Sequence, residues 1–431
     1  MAAVAQRPGI DTFMTKKGAL LRHVFVLLIA LAQNACSGGS PPKPSPSPFT
    51  TGQSPSPGVL AQSSSIPATL QASPAASSTE PQPACPASAT LDAGWSFVGS
   101  IIATHPNTEG YWALAGPESP EIQLSWAADR PFVSPQGDKV AFVAASPRPR
   151  LIVATFTGEE ITSIDWAPEW GIRPDGWFNE EWLRLQRSEE APTTVRLVSP
   201  WTGELLVLEP QLPNLDPYAA SQYAAATYSP DMDLVIYMRL DAETYQGQFA
   251  LWNLRQGRAI WNSESDTRQS HAMFTFPAWS PDGTMLAVTD SRPEDSQSGL
   301  RRQDLIVLTR DGQIAARTDF HNDFDEYWIG RDLLWSPDGN KIAFWILPLD
   351  GDSPRSYGLH LLHLDMNRLV NTCVKNDDIP GGAWSPDGGF LAAIASLAQQ
   401  RSLVILNPAA GSSLTLSSVE PLELIGWAAS P

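Results

Sequence analysis

Trp279-Ser280-Pro281-Asp282-Gly283-Thr284-Met285-Leu286-Ala287-Val288 reads as a tight turn between two strands. Pro281 fixes φ at the second turn position, Asp282 can bond its own backbone, and Gly283 tolerates positive φ. An apolar residue precedes the turn and an apolar, β-rich run follows, so the two strands are antiparallel. The block returns as Trp335-Ser336-Pro337-Asp338-Gly339 before Lys341-Ile342-Ala343-Phe344, and as Trp384-Ser385-Pro386-Asp387-Gly388 before Phe390-Leu391-Ala392-Ala393. Weaker copies begin at Val133, Trp177, Tyr228 and Trp427, and the Trp177 copy has lost the proline. The seven first residues lie 44, 51, 51, 56, 49 and 43 positions apart.

A period near 49 residues, rich in short strands, is the mark of propeller blades. After each turn comes a second hairpin, such as Leu305-Ile306-Val307-Leu308 to Gly312 or Leu403-Val404-Ile405-Leu406 to Gly411. Two hairpins make a four-stranded blade. One blade cannot bury both of its faces, so blades stack around an axis. The tryptophans at the ends of the first strands are expected to pack between neighbouring blades as framework. The last copy has only its first strand, while Trp95–Trp126 can supply three. The expected fold is therefore all-β, a seven-bladed propeller closed by strands from both termini, with six blades as the alternative. The repeat resembles that of the TolB-type, WD-repeat-like β-propellers, over residues 91–431. The resemblance implies the fold. It implies no function, because its residues are framework.

The 431-residue chain has 28 Lys+Arg and 46 Asp+Glu, for a net charge of −18. Residues 91–431 alone hold 23 and 44, a net of −21. Such a balance excludes a nucleic-acid binder, which needs a basic face against phosphate. It favours solubility and basic partners. Three cysteines are too few for a disulfide scaffold.

The N-terminal region reads as an address. Lys16, Lys17 and Arg22 precede an apolar run from Val24 to Ala32, the pattern of a secretory signal. That run is too short to span a bilayer, which takes about 20 residues. Ala35-Cys36 before Ser37-Gly38-Gly39-Ser40 resembles a bacterial lipoprotein signal, which implies a lipid anchor on Cys36. Cleavage after Ala32 is the alternative. Residues 37–90 carry 12 Pro and 13 Ser, so residues 36–90 read as an extended, core-free linker. The expected division is 1–35 signal peptide, 36–90 linker and 91–431 propeller. The chain is expected to be exported to the cell surface or periplasm, with the anchor its sole membrane contact. An oxidising compartment favours a disulfide between Cys85 and Cys373.

No Gly-x-Ser-x-Gly elbow, His-Glu-x-x-His or phosphate-binding glycine loop occurs. His360 and His363 are three apart on an expected strand and point to opposite faces. The connections within and between blades are long at Glu209–Ala226, Ser263–Pro277, Asp290–Gln303, Thr318–Asp332 and Leu347–Tyr357, and they share one face. Long loops on one face make the default binding surface. Asp319, Asp323, Phe324, Asp325, Glu326, Tyr327 and Trp328 gather there, with Asp350 and Asp352 in another loop. This mixture suits a basic peptide, a protein partner or a stacked sugar, and its carboxylates are chemically able to hold Ca²⁺. No cofactor is otherwise called for. The expectation is a monomeric, non-catalytic binding or assembly module of the cell envelope. The alternatives are a glycan- or peptide-cleaving or lyase-type propeller enzyme, and a purely structural envelope protein.

Overall fold

The computed structural model of the chain describes residues 87–88, 95, 98–105, 108–116, 122–124, 130–144, 148–167, 170, 174–185, 194–215, 226–240, 247–263, 275–292, 295, 300, 302–330, 332–349, 356–377, 381–397, 400–416 and 423–429. All belong to one compact unit, Gln71–Pro431. The expected signal peptide, Cys36 and Cys85 lie outside the described residues. So does the linker, apart from Ala87–Ser88.

The turns form as their residues dictate. Ser280 Oγ donates to Asp282 Oδ1 at 2.7 Å and accepts the Met285 N–H at 2.9 Å. The Gly283 N–H closes the turn on the Ser280 carbonyl at 2.8 Å, with Gly283 at φ 67°. Ser336 and Ser385 repeat each of these bonds. Ser280, Ser336 and Ser385 are fully buried, so each serine hydroxyl is spent inside its own turn.

Strand β1 is Ala87–Ser88. Strands β2 (Ser100–His105), β3 (Thr108–Leu114) and β4 (Ile122–Gln123) pair with the last strand, β30 (Glu423–Ala428), in the order β30-β2-β3-β4. Next come β5 (Phe132–Val133), β6 (Val140–Ala144), β7 (Arg150–Ala154) and β8 (Glu160–Asp165), then β9 (Pro174–Trp177), β10 (Leu183–Leu185), β11 (Val195–Val198) and β12 (Leu205–Leu208). Strands β13 (Ala226–Tyr228), β14 (Leu234–Leu240), β15 (Gly247–Asn253) and β16 (Arg258–Asn262) form the following sheet. After it come β17 (Ala278–Trp279), β18 (Met285–Asp290), β19 (Asp304–Thr309) and β20 (Ile314–Arg317). The remaining strands are β21 (Tyr327–Ile329), β22 (Leu334–Trp335), β23 (Lys341–Pro348), β24 (Tyr357–His363), β25 (Arg368–Asn376), β26 (Gly382–Trp384), β27 (Leu391–Leu397), β28 (Gln400–Asn407) and β29 (Ser412–Leu416).

The result is an all-β propeller of four-stranded antiparallel blades. The expectation of seven separate blades, or six, is corrected: five sheets are discrete and four-stranded, and the rest of the described strands form one ten-stranded sheet. The cause is local. Asn376 at the end of β25 pairs in parallel with Ser396 on β27, and this bridge merges two four-strand repeats, β22–β25 and β26–β29. Strand β1 extends the same sheet by pairing in parallel with β29.

Apolar side chains from facing sheets interlock. Ile236, Phe249 and Leu251 meet Leu286, Val288, Ile306 and Leu308, while Val307 meets Tyr327, Ile342 and Phe344 on the other side. The join of the chain ends is packed the same way, with Ile101 and Trp427 against Leu403 and Ile405, and Ile102 and Ala428 against Val140 and Phe142. Ser100 through Thr104 pair with Glu423 through Ala428. The fit leaves no slack, since a Cβ on Gly99 (φ 100°) would stand 1.9 Å from the Ala428 carbonyl oxygen.

Candidate functional site

Strand β18 ends at Asp290 and β19 begins at Asp304, and these residues pair in register. Strand β20 ends beside them at Arg317, which pairs with Ile306. The segments 291–303 and 318–326 therefore leave the same edge of one sheet, as expected for the long-loop face.

What joins the two loops is a set of ion pairs built on two buried carboxylates, Asp304 and Asp295. Asp304, with a side chain only 1% exposed, accepts from Arg292 Nε and Arg317 Nε, each at 3.0 Å. Arg292 Nη2 also reaches Asp319 Oδ2 at 2.9 Å, linking the first loop to the second. Deeper in the first loop, Asp295 accepts from Arg302 Nη1 at 3.3 Å and lies 3.2 Å from His321 Nε2. Arg302 Nε donates to the Asp325 carbonyl at 2.6 Å. The backbone joins in, since the Leu305 N–H donates to Thr318 Oγ1 at 2.9 Å and the Ile329 N–H to Gln303 Oε1 at 3.1 Å. Buried charge is tolerated only with such pairing, and Asp304, Arg292, Asp295 and Arg302 each serve two groups.

The electrostatics follow. Burial alone would lower the Arg292 pKa, but bonding to Asp319 and Asp304 outweighs it and holds the guanidinium firmly charged. Burial would raise the Asp319 pKa, and the Arg292 bond overrides this and lowers it. Asp323 moves the other way, raised by burial and then by the charge of Asp319. Burial pushes the Tyr327 hydroxyl up, and nearby Asp304 adds to it.

The expected site residues divide into two groups. Asp319, Asp323 and Asp325 are exposed, with Glu326 and Phe324 half-buried beside them. Tyr327 is fully buried: it lies in β21 and packs edge-on against Phe320, ring centroids 5.6 Å apart. Phe320 also meets His360 and Phe344, so much of the aromatic character of this loop is core. Trp328 is half-buried on β21. Asp350 and Asp352 lie outside the described residues. Among the described residues, no group of three or more His, Cys, Asp or Glu side chains is placed to hold a metal ion. His360 and His363 are both buried in β24, and His360 Nδ1 lies 3.0 Å from the Gly358 carbonyl.

Sequence reasoning passed over Arg292, Asp295, Arg302, Asp304, Arg317 and His321. A signal for Arg292, Arg302 and Asp304 was present in the junctions Val288-Thr289-Asp290-Ser291-Arg292 and Arg301-Arg302-Gln303-Asp304-Leu305, where charge abuts an apolar strand.

The framework tryptophans join neighbouring inner strands. Trp177 Nε1 donates to the Phe132 carbonyl at 2.9 Å, Trp335 Nε1 to Ala278 at 2.8 Å and Trp384 Nε1 to Leu334 at 2.9 Å. Trp427 Nε1 donates to Val98 at 3.1 Å, across the join of the chain ends.

No protein-family model matches the chain, and no curated protein matches its sequence. Its fold is similar to solved propeller structures. TolB from Acinetobacter baumannii is 15% identical, with 77% of this chain and 66% of that one covered and a TM-score of 0.37. Oligogalacturonate lyase from Vibrio parahaemolyticus is 11% identical over 74% of this chain and 84% of that one, with a TM-score of 0.44. The tricorn protease is 12% identical over 76% and 36%, with a TM-score of 0.42. The chain thus spans just under two thirds of that TolB and about a third of the tricorn protease. These likenesses are of fold alone, and no residue role is carried over from them.

Proposed function

We propose that the chain is an exported propeller, lipid-anchored through Cys36, that serves as a non-catalytic binding or assembly module for a basic protein or peptide. The observation that carries this reading is the ion-paired frame under the 291–303 and 318–326 loops. Arg292, Asp304, Arg317 and Asp319 tie both loops to one sheet edge. Asp323 and Asp325 stay exposed above them. A surface held rigid from below loses little entropy on binding. Exposed carboxylates on a body of net charge −21 draw basic partners.

Cys373 is disulfide-bonded, at φ 59° on β25. We assign its partner as Cys85, two residues before β1. That bridge would hold the start of the domain beside the ten-stranded sheet. Among the described residues no helix is long and apolar enough to cross a membrane.

The test is site-specific photo-crosslinking in envelope fractions of the source cell. A crosslinking side chain at Asp323 is expected to yield one discrete adduct. The same group at Met366, an exposed residue of the β24–β25 turn, is expected to yield none. Equal labelling at both positions, or none at either, would reject the binding face. Cys36→Ser is expected to release the protein from membranes, and unchanged partitioning would reject the anchor.

A further inference from the structure

Among the described framework tryptophans, the indole-to-carbonyl link between inner strands is missing at Trp279. By the spacing of the other links, Trp279 should donate to Thr227, the residue before Tyr228. Instead, Trp279 Nε1 is buried and has no acceptor among the described residues. The neighbouring copy is also the degenerate one. Tyr228 stands where the full repeat has tryptophan, and Met232 takes the positive φ (63°) that Gly283 takes in the next copy. A cavity of about 180 Å³ opens here, along β13 and between β9 and β17. Its walls include Trp177, Phe178, Tyr228, Trp279, Pro230 and Pro277.

We propose that this cavity binds a proline-rich peptide in the polyproline II conformation. Four aromatic side chains and two prolines form a surface on which pyrrolidine rings stack, as in other aromatic-lined grooves for such peptides. The volume suits one ring-sized group, since a cavity of about 150 Å³ takes up benzene. A polyproline II strand makes no internal hydrogen bonds, so its carbonyls are free acceptors. One of these carbonyls is assigned as the acceptor for the orphaned Trp279 N–H. Charge argues against a small carboxylate. Among the described residues the one cation in the wall, Arg184, is held by Asp175 at 2.7 Å, and the domain as a whole repels anions.

The test uses the full chain labelled with 5-fluorotryptophan and followed by ¹⁹F NMR. The probes are Ac-Pro-Pro-Lys-Pro-Pro-NH₂, its alanine counterpart Ac-Ala-Ala-Lys-Ala-Ala-NH₂, and 3-phenylpropionate. The proline peptide is expected to shift the Trp279 and Trp177 resonances saturably, and the other two probes to leave them in place. Trp279→Phe, which keeps a ring and removes the donor, is expected to weaken binding about fivefold. Should that variant not fold, Phe178→Ala is expected to weaken binding tenfold or more. Unmoved resonances, equal response to the alanine peptide, or response to the carboxylate alone would overturn the proposal.

Discussion

At the scale of single residues, burial rather than charge count decides behaviour. His360 lies between Phe320 and Phe344, with ring centroids 5.6 and 6.0 Å away. Burial lowers its pKa to about 4, against a weaker opposing effect of the Gly358 carbonyl. The folded state therefore binds this proton less readily than the unfolded chain. The stability owed to neutral His360 is complete above pH 6.5 and drains away as the pH falls from 6.5 toward 4. The loss by pH 4.5 should be about 2 kcal/mol. His363, also lowered chiefly by burial, acts with the same sign. The turn aspartates act in a lower window. Burial would raise Asp282 and Asp338, but the Ser280 and Ser336 hydroxyls and nearby N–H donors lower them, so their contribution fades only below the usual carboxylate range. Denaturant unfolding of the His360→Leu variant at pH 7 and pH 4.5 separates the two windows. The variant should lose markedly less stability over that interval than the parent. An equal loss would show that His360 is not the buried titrating group.

At the scale of elements, the strand ends matter most. Asp304 begins β19 and holds arginines from the loop before it and the strand after it, so one carboxylate sets two connections. Asp304→Asn keeps the shape and removes the charge, leaving Arg292 and Arg317 facing a neutral amide. Thermal or denaturant unfolding should show a destabilisation of about 3–5 kcal/mol, little relieved by salt because the site is buried. A change below about 1 kcal/mol would mean that the pairs are surface-like. This element also shows what was legible in the sequence. The Trp-Ser-Pro-Asp-Gly turns were readable because every determinant lies within six residues: Ser280 bonds Asp282 and Met285, and Gly283 supplies the positive φ. Asp319, Asp323 and Asp325 stood out because they cluster in one loop. The ion-pair frame did not, because Asp304 pairs with Arg292 and Arg317, twelve and thirteen residues away. Only folding reveals that these charges are inside. The aromatic residues of the same loop misled for the converse reason, since Tyr327 belongs to a strand that pairs with the end of β23.

At the scale of the molecule, strand grouping depends on contacts too small to leave a pattern. The Asn376–Ser396 bridge turns two repeats into one ten-stranded sheet, and nothing in the 49-residue period announces it. Closure was legible, because the last repeat stops after one strand and the first region supplies the rest. The structure completes that sheet with β30 against β2, and Trp427 reaches back to Val98. The account as a whole stands on this closed ring, because a rigid loop face and a defined cavity between inner strands both need neighbours that cannot splay apart. Native-state hydrogen exchange is the most direct measurement of it. The amides of Ile101, Ile102, Gly426 and Trp427 should exchange as slowly as those of Val288 and Ile306 in the middle of the β18–β19 pair, showing that the joined ends open only when the whole domain unfolds. Fast exchange at the joined ends, with slow exchange kept in β18 and β19, would contradict the closed ring.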